Sequence, residues 1–393
     1  MKRYVTKLIN DELNHPNKKV VLLLGQRRVG KTFELKRLQE ENKHVFFFDM
    51  EDADHQSLLA PSVKQLERVL GHKENSSYCL IDEIQYLEKS GSILKLLYDH
   101  FPNLKIVATG SASFLMMKNI GDSLYGRYFS FSIFPMTIRE IIGEMDNEPF
   151  SLGQFQKAIK KPQIDALIDN LLLYGSLPEI IHQQSPVRKK EVLLYYADNL
   201  IYKDIFEIER IQHPQIFRQL LQLLALQIGQ IINPNELSRT LGINRKTVIE
   251  YISLYEKFHL IYVLRPFSKN KRKEITKSFK VYFTDLGIRN SILKDFKNFP
   301  LRNDVGALFE NLVTMSFLAN IHYLKAPYQI HFWRNQNKAE VDLVLHNNEN
   351  GKLIPIEIKW NKTMMPSRAF HNLYSERIDQ EFCINKDNFW KFI

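Results

Sequence analysis

Residues 20–32 read Val-Val-Leu-Leu-Leu-Gly-Gln-Arg-Arg-Val-Gly-Lys-Thr, and they restrict the fold more than any other stretch. Val20–Leu24 is apolar at every position, which suits one strand buried on both faces of a parallel sheet. The chain must then curl back on itself, and Gly25 and Gly30 permit it. A phosphate is held by backbone N–H donors that approach it closely, and such a loop opening a helix provides them. The segment Gly25, Gln26, Arg27, Arg28, Val29, Gly30, Lys31, Thr32 therefore reads as a phosphate-binding loop. Lys31 supplies a point charge to the outer phosphates, and Thr32 supplies a hydroxyl to Mg2+.

A second half of such a site is expected on a neighbouring strand. Tyr78–Asp82 is apolar until its last residue, and Glu83 follows, about 50 residues beyond the loop. A strand ending in two acids delivers both to the carboxyl edge of the sheet, where ligands of open α/β folds bind. Asp82 is placed to hold the Mg2+ shell, and Glu83 to polarise an attacking water. Lys105–Thr109 is a further buried-strand run, and Ser111 follows it as either a γ-phosphate contact or a helix cap. With His44–Asp49 and Tyr128–Phe134 these runs predict an open parallel sheet with crossover helices, Lys31–Glu41 and Ser92–His100 among them.

Composition agrees with a globular chain of several domains: 393 residues, 44% hydrophobic and 25% charged. Two cysteines, Cys79 and Cys383, exclude a disulfide scaffold or a cysteine zinc site and predict a cytoplasmic protein. No run reaches the ~18 apolar residues of a membrane span, and Met1-Lys2-Arg3-Tyr4 opens no signal-peptide core. The net charge of +10 makes an anionic partner such as DNA an expectation, against the alternative of a Lys-rich solubilising surface.

Past Pro135 the pattern becomes mostly helical. Asn235–Leu241, Gly242 and Asn244–Lys257 predict a helix, a turn and a helix. Leu260–Leu264 and Lys280–Phe283 then predict a hairpin whose link carries Lys269, Lys271, Arg272, Lys273 and Lys277. This is the pattern of a winged helix with a basic wing, and DNA is its expected partner. Near the C-terminus Glu310 lies on a predicted helix, Asp342 on a strand, and Glu357 and Lys359 on one face of another. Carboxylates and a lysine on adjacent strands form a Mg2+-dependent phosphodiesterase pattern, with Glu310, Asp342 and Glu357 as ligands and Lys359 steadying the phosphate.

The order of phosphate loop, Asp82-Glu83, polar strand end and Arg127 before a fifth strand resembles the AAA-type ATPases. That resemblance implies ATP and Mg2+ as cofactors, Arg127 as a finger reaching a neighbouring subunit's nucleotide, and hence a homo-oligomer. Tyr174-Gly175-Ser176-Leu177-Pro178-Glu179 resembles the Gly-x-Pro element of signalling-type relatives, which implies Pro178 near the adenine. Asp342, fourteen residues, then Glu357-x-Lys359 resembles the PD-(D/E)xK nuclease superfamily, with Glu310 as the helix acid. Residues 18–362 as a whole resemble a prokaryotic family of AAA-type proteins with such a C-terminal module. The implied division is a P-loop ATPase core over 1–140, a helical lid over 141–212, a winged helix over 213–298 and a restriction-endonuclease-like α/β domain over 299–393. The expected function is ATP hydrolysis with DNA binding and Mg2+-dependent cleavage. The alternative is a nucleotide-gated switch that binds DNA or protein and cleaves nothing.

Overall fold

The computed structural model describes residues 2–17, 19–71, 77–110, 124–143, 161–200, 205–206, 211–268 and 278–392. The expectations for Ser111, the basic link 269–277 and part of the lid, 144–160, fall outside them. Two compact units result: Met1–Phe134 with Lys257–His259, and Pro135–Glu256 with Leu260–Ile393.

The first unit is built on five parallel strands: β1 (Val20–Leu24), β2 (Val45–Asp49), β3 (Ser77–Asp82), β4 (Leu104–Gly110) and β5 (Tyr128–Ser132), in the order β2-β3-β4-β1-β5. All five residues of β1 are buried, as an apolar run between two helical layers requires. The register pairs Leu24 with Gly110 and Ile81 with Ala108, so β1, β3 and β4 end together at one edge. The helix Lys31–Glu41 starts from Gly30 at φ 100° with no side chain capping it, which leaves its first N–H groups facing the loop. A helix that the sequence reading missed, Tyr4–Leu13, buries Val5, Leu8 and Ile9.

The second unit begins with helices Ile138–Ile142, Lys161–Tyr174, Pro178–His182, Pro186–Tyr195 and Pro214–Leu226. Helices Pro234–Leu241 and Arg245–Lys257 follow, joined at Gly242, whose φ of 64° suits glycine. Strands β6 (Ile231–Ile232), β7 (Ile261–Leu264) and β8 (Phe279–Phe283) form an antiparallel sheet with β8 in the centre. After the long helix Val305–Tyr323 come β9 (Tyr328–Arg334), β10 (Glu340–Asn347), β11 (Leu353–Ile358) and β12 (Phe382–Ile384). They form a four-stranded sheet in the order β12-β11-β10-β9, antiparallel except for β11–β12. The hairpin and the strands that carry Asp342 and Glu357 agree with the sequence expectation, while β12 in the C-terminal tail has no sequence signal.

These parts of the second unit are stitched together by buried polar bonds. The Asn311 amide accepts from Phe283 N at 2.7 Å and donates to Phe283 O at 2.9 Å, as a neighbouring strand would. Phe267 N donates to Phe332 O at 2.6 Å, extending the run after β7 onto β9. The junction 299–304 is equally tied. Arg302 donates to Asp304, to Asp295 O and to the Asn290 amide oxygen, and Arg289 reaches Asp304 at 2.6 Å. Burial would raise the Asp304 carboxyl, but hydrogen bonds from Arg302 and Arg289 and their charges win and hold it at about 2.

Candidate functional site

The carboxyl edge of the parallel sheet gathers the residues expected there. Gly25 leaves β1 so close to its neighbours that an added Cβ would lie 2.5 Å from the Ile133 carbonyl oxygen and 3.1 Å from Val29 Cγ2. Only glycine fits that approach. Lys31 is buried, and its ammonium donates to the carbonyls of Gly25 and Gln26 at 3.1 Å each, with Glu83 Oε1 4.0 Å away. Arg27 reaches out of the loop to Glu51 at 3.2 Å and the Tyr86 hydroxyl at 3.3 Å.

Asp82 ends β3 almost fully buried, and that burial pushes its carboxyl above the ordinary range. Hydrogen bonds from the hydroxyls of Thr109 and Thr32 oppose the shift. Thr109, the buried residue near the end of β4, donates to Asp82 and accepts from the Glu83 N–H at 3.0 Å. One hydroxyl thus fixes both acids. Glu83 turns out of the strand at φ 51°, a left-handed conformation a glutamate rarely adopts. Its Oε2 accepts from the Gln85 amide. A hydroxyl and a carboxylate already joined, Thr32 and Asp82, form a hard-oxygen pair suited to the hydration shell of Mg2+.

The sequence reading missed two supports. Thr109 was seen only as part of a polar strand end. Arg3, ahead of the N-terminal helix, donates to the carbonyl oxygens of Val29 at 3.0 Å and Phe134 at 2.8 Å. It braces the phosphate loop from behind. A lone arginine near an N-terminus carries no signal of that role.

The comparisons with known proteins agree with this geometry at its N-terminal part. A family model described as an AAA domain matches residues 17–142. Residues 17–142 form a P-loop AAA-type ATPase domain. Two models of domains of unknown function, DUF8612 and DUF4143, match residues 165–298 and 305–389. Among curated relatives, the uncharacterized protein MJ1544 of Methanocaldococcus jannaschii is 26% identical, across 96% of this chain and 88% of that protein. An uncharacterized protein of Haemophilus influenzae is 24% identical, across 87% and 89%. Among solved structures, the Walker-type ATPase PABY2304 of Pyrococcus abyssi covers 73% of this chain and 94% of its own, at 16% identity and a TM-score of 0.48. Among the described residues no helix is long and apolar enough to cross a membrane.

Away from the loop of this AAA-type domain, the expected residues have other partners. The Arg127 carbonyl accepts from Val20 N, at the end of β1 opposite Gly25, and its guanidinium pairs with Asp99 at 3.1 Å. It therefore does not enter its own domain's loop. In the second unit, Pro178 is the first residue of the helix Pro178–His182, where its missing N–H costs nothing. The turn before it docks on a buried carboxylate: Asp285 accepts from Ser176 N at 2.7 Å and Ile288 N at 3.0 Å. Gly175, at φ +70°, lies so close that its Cβ would fall 2.1 Å from Asp285 Oδ1. Burial still pushes Asp285 up to about 6 despite its backbone donors.

The C-terminal carboxylates do assemble. A register shift between Val341 and Val344 re-aims β10 at Asp342. Asp342 accepts from Ile358 N and from Lys359, both at 2.9 Å, and Lys359 also pairs with Glu357 at 2.6 Å. Burial, with Asp342 beside it, pushes Glu357 up to about 7. Glu310 accepts from Lys280 at 2.9 Å and from the Tyr282 hydroxyl at 2.6 Å. In this arrangement Glu310 is paired with Lys280, and Asp342 and Glu357 with Lys359. Among the described residues, no group of three or more His, Cys, Asp or Glu side chains could hold a metal ion.

Proposed function

We propose that the chain is a Mg2+-dependent ATP hydrolase whose second unit binds DNA. The observation that carries the catalytic half is the joined set of Thr32, Asp82 and Thr109 at the carboxyl edge, with Lys31 and Glu83 beside it. Thr32 and Asp82 would hold Mg2+, which when bound neutralises charge on the β- and γ-phosphate oxygens. Lys31 exchanges its two carbonyl acceptors for phosphate oxygens, and the uncapped N–H groups of the helix Lys31–Glu41 add donors. Glu83 accepts a hydrogen bond from the attacking water and aligns it with the γ-phosphate. Arg127, facing away from its own loop, serves a neighbouring copy of the chain, so turnover requires self-association.

The test is Lys31→Ala. Losing two charge-assisted hydrogen bonds costs about 3 kcal/mol, so ATP affinity should fall roughly 100-fold in a fluorescent-nucleotide titration. Unchanged affinity would remove this reading.

Support for DNA comes from the two helices joined at Gly242 and the three-stranded antiparallel sheet, the parts of a winged helix. The second helix leaves Arg245, Lys246 and Ile249 exposed near its N-terminus, where recognition helices meet base edges and phosphates. Replacing Arg245 and Lys246 with alanine should flatten the slope of log K against log salt by about two units. A duplex-binding titration across salt concentrations measures this, and an unaltered slope would leave the helix pair a packing element. Cleavage by the C-terminal acids is not part of this reading.

A further inference from the structure

The second unit places four carboxylates, Glu310, Glu340, Asp342 and Glu357, around two lysines that come from different sheets. Lys359 belongs to the expected motif. Lys280 does not: it lies on β8, the central strand of the three-stranded sheet, and only 1% of it is exposed. Its ammonium bridges Glu310 Oε1 at 2.9 Å and Glu340 Oε1 at 2.7 Å, beneath the Phe332 ring at 5.6 Å. Tyr282, two residues along the same face of β8, adds a hydrogen bond to the same Glu310 oxygen. Arg334 completes the pairing of Glu340 at 3.5 Å.

We infer that this cluster is an ion-paired clamp in which Lys280 takes the electrostatic place of a divalent cation, fixing β8 to the helix Val305–Tyr323 and to β10. Mg2+ demands near-ideal octahedral oxygen ligation. Among the described residues no three of these carboxylates converge as a set that could hold a metal ion, and the two lysines take one oxygen each of Glu310, Glu340, Asp342 and Glu357. Recruiting Glu310 or Glu340 to a metal would strip a buried ammonium of its counter-ions, at the severe cost of an unpaired internal charge. The two modules are therefore locked in one arrangement by charge, with no metal-dependent hydrolysis of phosphodiesters. The inference does not rest on the ATP reading.

Its test uses the full chain without nucleotide, with Mn2+ followed by electron paramagnetic resonance. Wild type and Asp342→Asn should take up Mn2+ equally, and neither should nick plasmid DNA above background. Lys280→Met, which keeps the stem and removes the charge, should take up about one equivalent more than wild type and gain a few degrees of melting temperature from Mn2+. Wild-type uptake that Asp342→Asn abolishes would overturn the clamp, and that comparison stands even if Lys280→Met does not fold. A folded Lys280→Met that takes up no additional Mn2+ overturns it as well.

Discussion

Glu83→Gln is expected to lower ATP turnover by about 10²- to 10⁴-fold while leaving ATP affinity within about threefold of wild type. Its backbone is held at φ 51° with its N–H on Thr109, and Gln85 orients one oxygen of the carboxylate. Glutamine preserves the shape and those contacts but cannot accept a proton from water. Binding depends instead on the loop, Lys31 and the Thr32–Asp82 pair, which the change leaves alone. Phosphate release at saturating ATP, beside a nucleotide titration, separates the two effects. Normal turnover in the variant would move the water-positioning role to another residue.

The largest expected effect on stability is at Gly175, in the second unit. An alanine there meets two costs at once. Left-handed backbone costs about 1–2 kcal/mol for a residue with a Cβ. That Cβ also drives into Asp285, and moving the carboxylate strands N–H groups of Ser176 and Ile288, at about 1–3 kcal/mol each. Gly175→Ala should therefore destabilise the second unit by on the order of 4 kcal/mol. Gly242 provides the control: its φ is also positive, at +64°, but among the described residues nothing lies within 4 Å of its Cβ position. Gly242→Ala should cost only about 1–2 kcal/mol. All three tryptophans, Trp333, Trp360 and Trp390, lie in the second unit, so urea unfolding followed by their fluorescence reports on it alone. Equal losses in the two variants would show that the Asp285 contact contributes nothing.

The parts of this molecule legible in the sequence are those governed by local rules. Val20–Leu24 announces its strand because burial on both faces demands five apolar residues in succession. The loop, Asp82 and Glu83 follow from it, since strand ends share one edge of a parallel sheet. What escaped depends on pairings between distant residues. Thr109 meets Asp82 only because β4 lies between β1 and β3, an order no local pattern reveals. Lys280 reads as one more base on a hairpin strand, and Glu340 as a neighbour of Asp342, until folding brings them to 2.7 Å. The three acids and Lys359 were singled out correctly as a group that converges. The counter-ion of Glu310 escaped that reading because it comes from β8, 30 residues before it. Likewise Tyr174–Pro178 owes its glycine to Asp285, 109 residues beyond Ser176.

The knot at residues 299–304 bears on how the second unit can be divided. The two similarity regions in that unit stop at 298 and resume at 305, which invites a cut between them. The buried side chains of Arg302 and Arg289, held on Asp304, make that stretch a fastening rather than a tether, and Asn311 and Lys280 repeat the fastening on either side. Fragments severed there would each expose half of a charge pair and an open strand margin. The seam between the two similarity regions is thus not a mechanical joint, and shuffling these halves between relatives would need matched partners on both sides.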